Sequence, residues 1–318
     1  MIIVMSGKAA EADIQAVAER IAAAGLSAHV SRGLERTVIG AVGEERGLEP
    51  AMFEDLAGVE RALRVVSEYR IVSREAQPEG SAIRIGHCEF GDAGFAWLGG
   101  CASARGLDEL APVARSVSEA GGGLMFGGGA RRHGNPYQHQ TFGVAELEAL
   151  REVSSSFGLA AAAELSDVRL LDMHLELQLD ALLIAPDSLR NIELLREIGR
   201  INKPVILQRD NRTSPAGWLL AAERIAAGGN HQIVLCDCGR EGDGPGMDVG
   251  EIAWLRQETH LPVIAAPVAA GGQALAQVLA RAALAAGASG LLLETDRDGR
   301  MAAGGLADWL SGLQPVGR

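Results

Sequence analysis

The sequence predicts an α/β protein, a (β/α)8 TIM barrel preceded by a small ferredoxin-like (βαββαβ) domain. Eight short apolar runs alternate with helical segments from about residue 94 onward, which is the pattern of a parallel barrel. The first 67 residues follow the split βαβ order instead. A length of 318 residues fits a barrel with a small additional domain.

The ferredoxin-like domain is predicted over residues 1–67. A helix with apolar residues at helical spacing stops at Gly25, a residue typical of a helix C-terminus. Strand-like runs surround this helix and a second, shorter one. The six predicted elements, in βαββαβ order, cover residues 2–5, 10–24, 27–31, 37–42, 52–56 and 59–66.

Residues 68–93 are predicted to be a linker, because their pattern is irregular and interrupted by Pro78, Gly80, Gly86 and Gly91. A small hairpin is expected within it, over residues 83–90. The barrel then occupies residues 94–318. Its eight strands are predicted at 95–98, 123–126, 159–163, 181–184, 204–207, 232–235, 262–265 and 290–293.

A doubly wound open sheet is the alternative to the barrel. Such a sheet that binds a dinucleotide carries a glycine fingerprint after its first strand. The segment Gly99-Gly100-Cys101-Ala102-Ser103 does not match that fingerprint, which favours the barrel.

The composition excludes several classes of protein. The formal net charge is -12 and no basic run is present, which argues against a nucleic-acid partner. The N-terminal residues lack the features of a signal peptide, and no uninterrupted apolar run reaches membrane-spanning length. We therefore expect a cytoplasmic protein without a membrane partner.

Active sites of barrels lie at the carboxyl ends of the strands, so the polar residues at those ends are the candidate site. The candidate ligand-binding residues are Arg131, Arg132, His133, Asp187, Gln208 and Asp237. The candidate catalytic residues are Glu294, Arg209, Glu164 and Cys238. Together with Asp210, the acids at these ends predict a ligand that is neutral, cationic or much smaller than a sugar phosphate.

The same strand ends resemble those of type I DAHP synthases, in the subgroup with an N-terminal ferredoxin-like domain. The resemblance covers essentially the whole chain. It rests on the segments SRGLERTVIGAVG, EYRIVSRE, GGGARRHGNPYQHQ, INKPVILQRD, IVLCDCG, THLPVI, APVAAGG and ALAAGASGLLLE. The family condenses phosphoenolpyruvate with erythrose 4-phosphate, with a divalent metal held by Cys, His, Glu and Asp.

The resemblance also assigns the metal positions. They fall at Ala102, Ala269, Glu294 and Gly305, with Asp296 or Asp298 as alternatives to Gly305. Cys101 lies one residue before the cysteine position, and side chains alternate along a strand, so Cys101 is expected to face away from the site. A catalytic metal is normally held by about three protein ligands. We therefore expect no metal and no cofactor.

The cation positions that hold phosphoenolpyruvate in the family correspond mostly to other residue types here. They fall at Phe126, the segment Arg131-Arg132-His133, Asp187, Gln208 and Cys238. A bound phosphate dianion needs several charge-assisted hydrogen bonds, and losing one partner of a buried charge pair costs about 2–5 kcal/mol. Backbone amides after the glycine run 127–129 remain able to hold an anion.

These residues leave three functions open. The first is a pseudoenzyme that binds a small molecule or regulates aromatic (shikimate) metabolism. The second is a metal-independent enzyme of lyase or aldol type that uses the candidate catalytic residues. The third is an active 3-deoxy-7-phosphoheptulonate synthase. For Glu164 and Arg209, an ion pair across the mouth is the structural alternative to a catalytic role.

His29 and Ser31 are the candidate regulatory residues. They lie in a segment that matches the family segment associated with an aromatic amino acid as feedback inhibitor. A polar outer sheet face is the alternative interpretation of the two residues. The resemblance to this family also implies that the protein is a homo-oligomer, either a tetramer or a dimer. His174 is expected on a helix surface, and Cys236 in the core.

Overall fold

The computed structural model describes residues 1–33, 37–43, 49–63, 68–92, 94–102, 104, 106–128, 143–239, 246–298, 300–301 and 304–313. The first domain consists of β1 (Ile2–Met5), α1 (Glu11–Ala23), β2 (Ser27–Arg32), β3 (Thr37–Val42), α2 (Ala51–Glu54) and β4 (Val59–Leu63). Its strands form an antiparallel sheet in the order β2-β3-β1-β4. The ferredoxin-like prediction is confirmed.

Both faces of this sheet are covered, which explains why β1 is buried along its whole length. Ile3 packs with residues of α1 and α2 in one core. Ile2 lies in a second core with Val38 and Ala76, the latter from the linker. The linker is therefore part of the packed structure of the domain.

The linker contains β5 (Ile83–Ile85) and β6 (Cys88–Phe90), which form the expected hairpin. Ile83, Ile85 and Phe90 are buried in the same cluster as the side chains inside the barrel. The hairpin thus closes the amino-terminal end of the barrel, here called the floor.

Hydrogen bonds hold the linker to the outside of the barrel. The Glu223 carboxylate accepts from the backbone N–H groups of Ile71 and Val72, at 3.0 and 3.1 Å. The Thr259 hydroxyl donates to the carbonyl of Val72. Burial is the largest influence on Glu223 and raises the pKa of its carboxyl, while the backbone donors oppose this effect.

Eight parallel strands close into a barrel in the order β10-β11-β12-β13-β14-β7-β8-β9. The strands and the helices between them are β7 (Ala96–Cys101), α3 (Gly106–Glu119), β8 (Leu124–Gly127), α4 (Val144–Ser156), β9 (Ala160–Glu164), α5 (Leu171–Glu176), β10 (Ala181–Ile184), α6 (Ile192–Gly199), β11 (Val205–Arg209), α7 (Pro215–Ala227), β12 (Ile233–Asp237), α8 (Val249–Glu258), β13 (Val263–Ala265), α9 (Pro267–Ala285) and β14 (Gly290–Glu294). A hairpin of β15 (Arg300–Met301) and β16 (Gly304–Gly305) and the helix α10 (Leu306–Ser311) follow. The predicted barrel is confirmed.

Side chains of each barrel strand alternate between two cores, as expected for a strand. Leu98, Ala162 and Val234 belong to the core inside the barrel. Leu207 and Leu235 belong to the core between the strands and the surrounding helices. This alternation decides which strand-end residues face the mouth.

One helix of the described chain, Pro267–Ala285, has the length and apolar composition of a membrane span. In the structure it is a barrel helix, because Ala276 and Ala280 on its inner face are buried in the core outside the strands. It bends at Gly272, whose φ of 64° lies in the left-handed region that glycine adopts readily. The absence of a membrane partner stays a prediction.

Candidate ligand site at the barrel mouth

Four polar side chains meet at the carboxyl ends of the strands. Residues 160 and 162 of β9 lie inside the barrel, and so do 206 of β11 and 292 of β14, so alternation also turns Glu164, Gln208 and Glu294 inward. Cys238, just after β12, packs against the same inner core. The structure therefore brings these four predicted residues together at the mouth.

The four side chains combine two carboxylates, an amide and a thiol. The two carboxylates favour a neutral or cationic ligand. No cation is among the inward-facing side chains that end the described parts of the strands. The predicted residues Arg131, Arg132 and His133 lie outside the described residues.

Two of the metal positions assigned by the resemblance also face the mouth. Ala269, in the first turn of α9, packs against the inner core beside Cys238. Ala102 is buried and directly follows β7. Because side chains alternate along a strand and Leu98 faces the inside of the barrel, Ala102 is also expected to face inward. Cys101 lies in the outer core, as the register argument predicted.

The side chains at these positions do not suit a divalent metal. Within the described part of the chain, no group of three or more His, Cys, Asp or Glu side chains is arranged to hold a metal ion. Among Ala102, Ala269, Glu294 and Gly305, Glu294 alone carries a ligand side chain, and the alternatives Asp296 and Asp298 are exposed in the loop after β14. The expectation of no metal stays a prediction.

Phe126 fills space inside the barrel below the mouth. It lies at a position that the resemblance assigns to an arginine of the family, and it is 2% exposed. Its ring lies against β7 so closely that a Cβ on Gly100 would come within 2.6 Å of Phe126 Cδ1. This position is therefore an apolar packing position.

Arg209 and Asp237 do not face the mouth, which corrects their prediction as mouth residues. Arg209 of β11 pairs in register with Asp237 of β12. Each lies two residues after a leucine of the outer core, Leu207 or Leu235, so both side chains also point outward. Both side chains are buried, and Arg209 also pairs with Glu251 of α8. Arg209 lies over the Trp218 ring at 5.2 Å, a cation–π contact. The alternative ion pair between Arg209 and Glu164 is excluded by the same geometry.

Glu251 is the partner that the sequence argument missed. The pattern Asp248-x-x-Glu251 resembles a helix start, and Asp248 indeed accepts a hydrogen bond from the Glu251 backbone N–H at 3.1 Å. Such a pattern is a signal for a helix cap and carries no information about the contact with Arg209. Burial is the largest influence on Asp237 and raises the pKa of its carboxyl, and Arg209 opposes the effect.

Asp187 and Asp210 are held at the rim by Arg212. The guanidinium of Arg212 pairs with Asp187 at 2.9 Å and also pairs with Asp210. One guanidinium balances only one of the two carboxylates, so this group keeps a net negative charge at the rim. The carboxylates that point into the mouth itself are those of Glu164 and Glu294.

Cys236 is buried in the inner core, as expected, and burial raises the pKa of its thiol well above the usual value. Cys238 is half-buried at the mouth. His174 is fully buried, so the expectation of a surface position was wrong. Its ring nitrogens hydrogen-bond the carbonyls of Leu170 and Glu164, at 2.8 and 3.1 Å, and it supports the end of β9.

The two candidate regulatory residues have different environments. His29 is exposed on β2, whereas Ser31 is 1% exposed beneath the barrel. The Ser31 hydroxyl donates to the carbonyl of Ala226 at 2.7 Å and accepts from His231 Nε2 at 2.9 Å. Ser31 is therefore a contact between the domains, so the alternative interpretation as a polar outer sheet face fits His29 and does not fit Ser31.

Comparisons with known proteins agree with this architecture. The pattern of the DAHP synthase ferredoxin-like domain matches residues 1–67, and that of the DAHP synthetase I family matches residues 78–304. The chain is 34% identical over 299 residues to phospho-2-dehydro-3-deoxyheptonate aldolase of Thermotoga maritima, covering 92% of this chain and 88% of that protein.

A more distant relative is 2-dehydro-3-deoxyphosphooctonate aldolase of Xylella fastidiosa, 28% identical over 166 residues, with 48% of this chain and 59% of that protein covered. The crystal structure of the Thermotoga maritima DAHP synthase superposes with a TM-score of 0.70 at 32% identity. That match covers 98% of this chain and 94% of the other.

Proposed function

The chain belongs to the DAHP synthetase I family, and from this premise we propose that it is a non-catalytic member that binds a small molecule at the barrel mouth. The observation that carries the proposal is the set of inward-facing strand-end side chains. Glu164, Gln208, Cys238 and Glu294 offer two carboxylates, an amide and a thiol in place of a phosphate clamp.

Electrostatics support a ligand without a phosphate. Two carboxylates at one mouth repel a dianion, and Phe126 and Gln208 supply no positive charge to offset them. The apolar ring of Phe126 also fills space inside the barrel below the mouth. A neutral or cationic polar molecule suits these groups better than phosphoenolpyruvate does.

The metal positions support the same proposal. The divalent ion of the family would supply Lewis-acid polarisation of a carbonyl oxygen. Ala102 and Ala269 offer no ligand atom for it. We also expect a homo-oligomer without a nucleic-acid or membrane partner, in the cytoplasm and connected with aromatic metabolism, and these expectations stay predictions.

The altered-enzyme alternative is weakened by the position of Arg209. That alternative assigned catalytic roles to Arg209, Glu164, Glu294 and Cys238. Arg209, however, points to the outside of the strands. The remaining three groups include no cation to stabilise a developing negative charge. The similarity to Thermotoga maritima phospho-2-dehydro-3-deoxyheptonate aldolase makes synthase activity the outcome that the experiment has to exclude.

The test is an assay with phosphoenolpyruvate, erythrose 4-phosphate and Mn²⁺, in which the enolpyruvyl absorbance is followed. We expect no turnover, and clear turnover would overturn the proposal. In parallel, thermal shifts with glucose, glucosamine and glucose 6-phosphate compare neutral, cationic and dianionic sugars. Stabilisation by glucose or glucosamine that is lost in Glu294→Gln supports a mouth ligand, whereas preference for the phosphate contradicts it.

A further inference from the structure

A cavity lies at the end of the barrel opposite the mouth, between the ferredoxin-like domain and the floor. Its volume is about 200 Å³. The lining comes from both domains and the linker: Val38 of β3, Ile71 and Gln77 of the linker, and Asn202, His231 and His260 of loops at the floor. We propose that this interdomain cavity binds a single-ring molecule that is neutral or carries a carboxylate.

The size of the cavity limits the ligand. An apolar cavity of about 150 Å³ is large enough to bind benzene. A cavity of about 200 Å³ therefore holds one ring with one or two small substituents. A sugar phosphate or a molecule with two fused rings and a side chain would extend out of this volume into solvent.

The walls suit a ring with one polar edge. Val38, Ile71 and Ile83 provide apolar contact, and the amides of Gln77 and Asn202 lie beside them. His260 has both ring nitrogens in hydrogen bonds, to the Ile71 carbonyl at 2.9 Å and to the Ser81 hydroxyl at 2.8 Å. Its contribution to a ligand is thus a flat ring that is fixed in position.

The charges exclude an ammonium group. The ionisable residues among the described lining are Arg84, His231 and His260, and no carboxylate is among them. A protonated amine would find no counter-charge there. This distinguishes the proposed ligand from an α-amino acid, whose ammonium group would be buried without a partner.

The cavity is separate from the mouth, and the ligand proposed for the cavity does not depend on the function proposed for the mouth. Ile83, Ile85 and Phe90 of the hairpin lie between the two sites. The contact between domains runs along one edge of the cavity, where Ser31 meets His231 at 2.9 Å. A ligand that touches both Val38 of the ferredoxin-like domain and His260 of the barrel would bridge the two domains and stabilise their association.

Methyl NMR of the full chain, with labelled isoleucine and valine, tests the proposal. Benzoate and phenol are the probes, and benzylamine and phenylalanine are the cationic and zwitterionic comparisons. We expect saturable shifts of the Val38, Ile71 and Ile83 methyls with benzoate or phenol. The Ile206 and Ile264 methyls, inside the barrel, should not move.

Ala76→Leu enlarges a wall residue and should weaken probe binding at least tenfold, while Ala274→Leu on the exposed face of α9 should leave it unchanged. If Ala76→Leu lowers stability, NOEs between the probe ring and the Val38 and Ile83 methyls of the unaltered chain decide the question. Three results overturn the proposal: no saturable shift with either probe, shifts confined to the mouth, or binding of benzylamine as tight as that of benzoate.

Discussion

Arg209 and Asp237 face each other outside the strands of the barrel, with Nη2 and Oδ1 3.6 Å apart and both side chains almost completely buried. Glu251 and the Trp218 ring complete the surroundings of the guanidinium. The arginine therefore stabilises the packing of α7 and α8 on the strands, two elements that also form the rim of the candidate site.

Arg209→Met should lower the free energy of unfolding by about 3–5 kcal/mol, because it leaves buried carboxylates without their cation. Chemical denaturation followed by circular dichroism measures the change. Arg196→Met, which removes an exposed arginine that pairs with the exposed Glu193 on α6, is the control and should cost about 1 kcal/mol or less. Equal effects of the two substitutions would contradict the structural role of Arg209.

The loss in Arg209→Met should depend on pH. Burial already raises the pKa of Asp237, and removal of Arg209 takes away the main opposing effect. A carboxyl whose folded pKa exceeds its unfolded pKa binds a proton more readily when folded, so stability rises as the pH falls between the two values. The deficit should shrink as the pH falls through the raised folded-state pKa of Asp237 toward its unfolded-state pKa, and a deficit that stays constant would argue against a charged Asp237 as its cause.

Glu223→Ala should release the linker from α7. The substitution leaves the N–H groups of Ile71 and Val72 without their acceptor, at a cost of about 2–4 kcal/mol for the two donors. Hydrogen exchange over residues 68–76 should become faster. Glu197→Ala removes an exposed carboxylate of α6 and should leave exchange in the linker unchanged, so acceleration in both variants would show a non-specific effect.

Ser31→Ala should weaken the contact between the domains and lower stability by about 1–2 kcal/mol, since two hydrogen bonds of a buried hydroxyl are lost. His29 lies two residues away and its side chain is exposed. His29→Ala should therefore change the free energy of unfolding by less than about 0.5 kcal/mol. Thermal unfolding of both variants provides the comparison. A larger loss in His29→Ala than in Ser31→Ala would contradict the described environments of the two residues.

Placing ligand side chains at the metal positions that the resemblance assigns should create a metal site at the mouth. In the variant Ala102→Cys/Ala269→His, a thiolate and an imidazole join Glu294, which gives about the three protein ligands of a catalytic metal site. Calorimetric titration with Zn²⁺ or Mn²⁺ should show binding in the variant and none in the unaltered chain. Tight binding by the unaltered chain would contradict the assignment of the metal positions.

The sequence predicted the fold well, because eight apolar runs alternating with helices indicate a parallel α/β fold, and the missing glycine fingerprint favoured the barrel over an open sheet. It located Glu164, Gln208, Cys238 and Glu294 correctly at strand ends. Arg209 was misplaced because position along the chain was considered without strand parity, although Gln208 and Arg209 cannot both point inward.

Other features depend on contacts that no local pattern reveals. Ser31 is buried by α7 from the other domain, which lies far away in the sequence. His174 is buried because the end of β9 needs hydrogen-bond donors. The interdomain cavity exists only once the linker and three floor loops have come together.

The hairpin of β5 and β6 closes the barrel at the end opposite the mouth, and the side chains of the inner core fill the space between the two ends. A molecule bound at the mouth therefore has to arrive and depart on the side of the carboxyl ends of the strands. The hairpin stabilises the barrel without offering the ligand a second route.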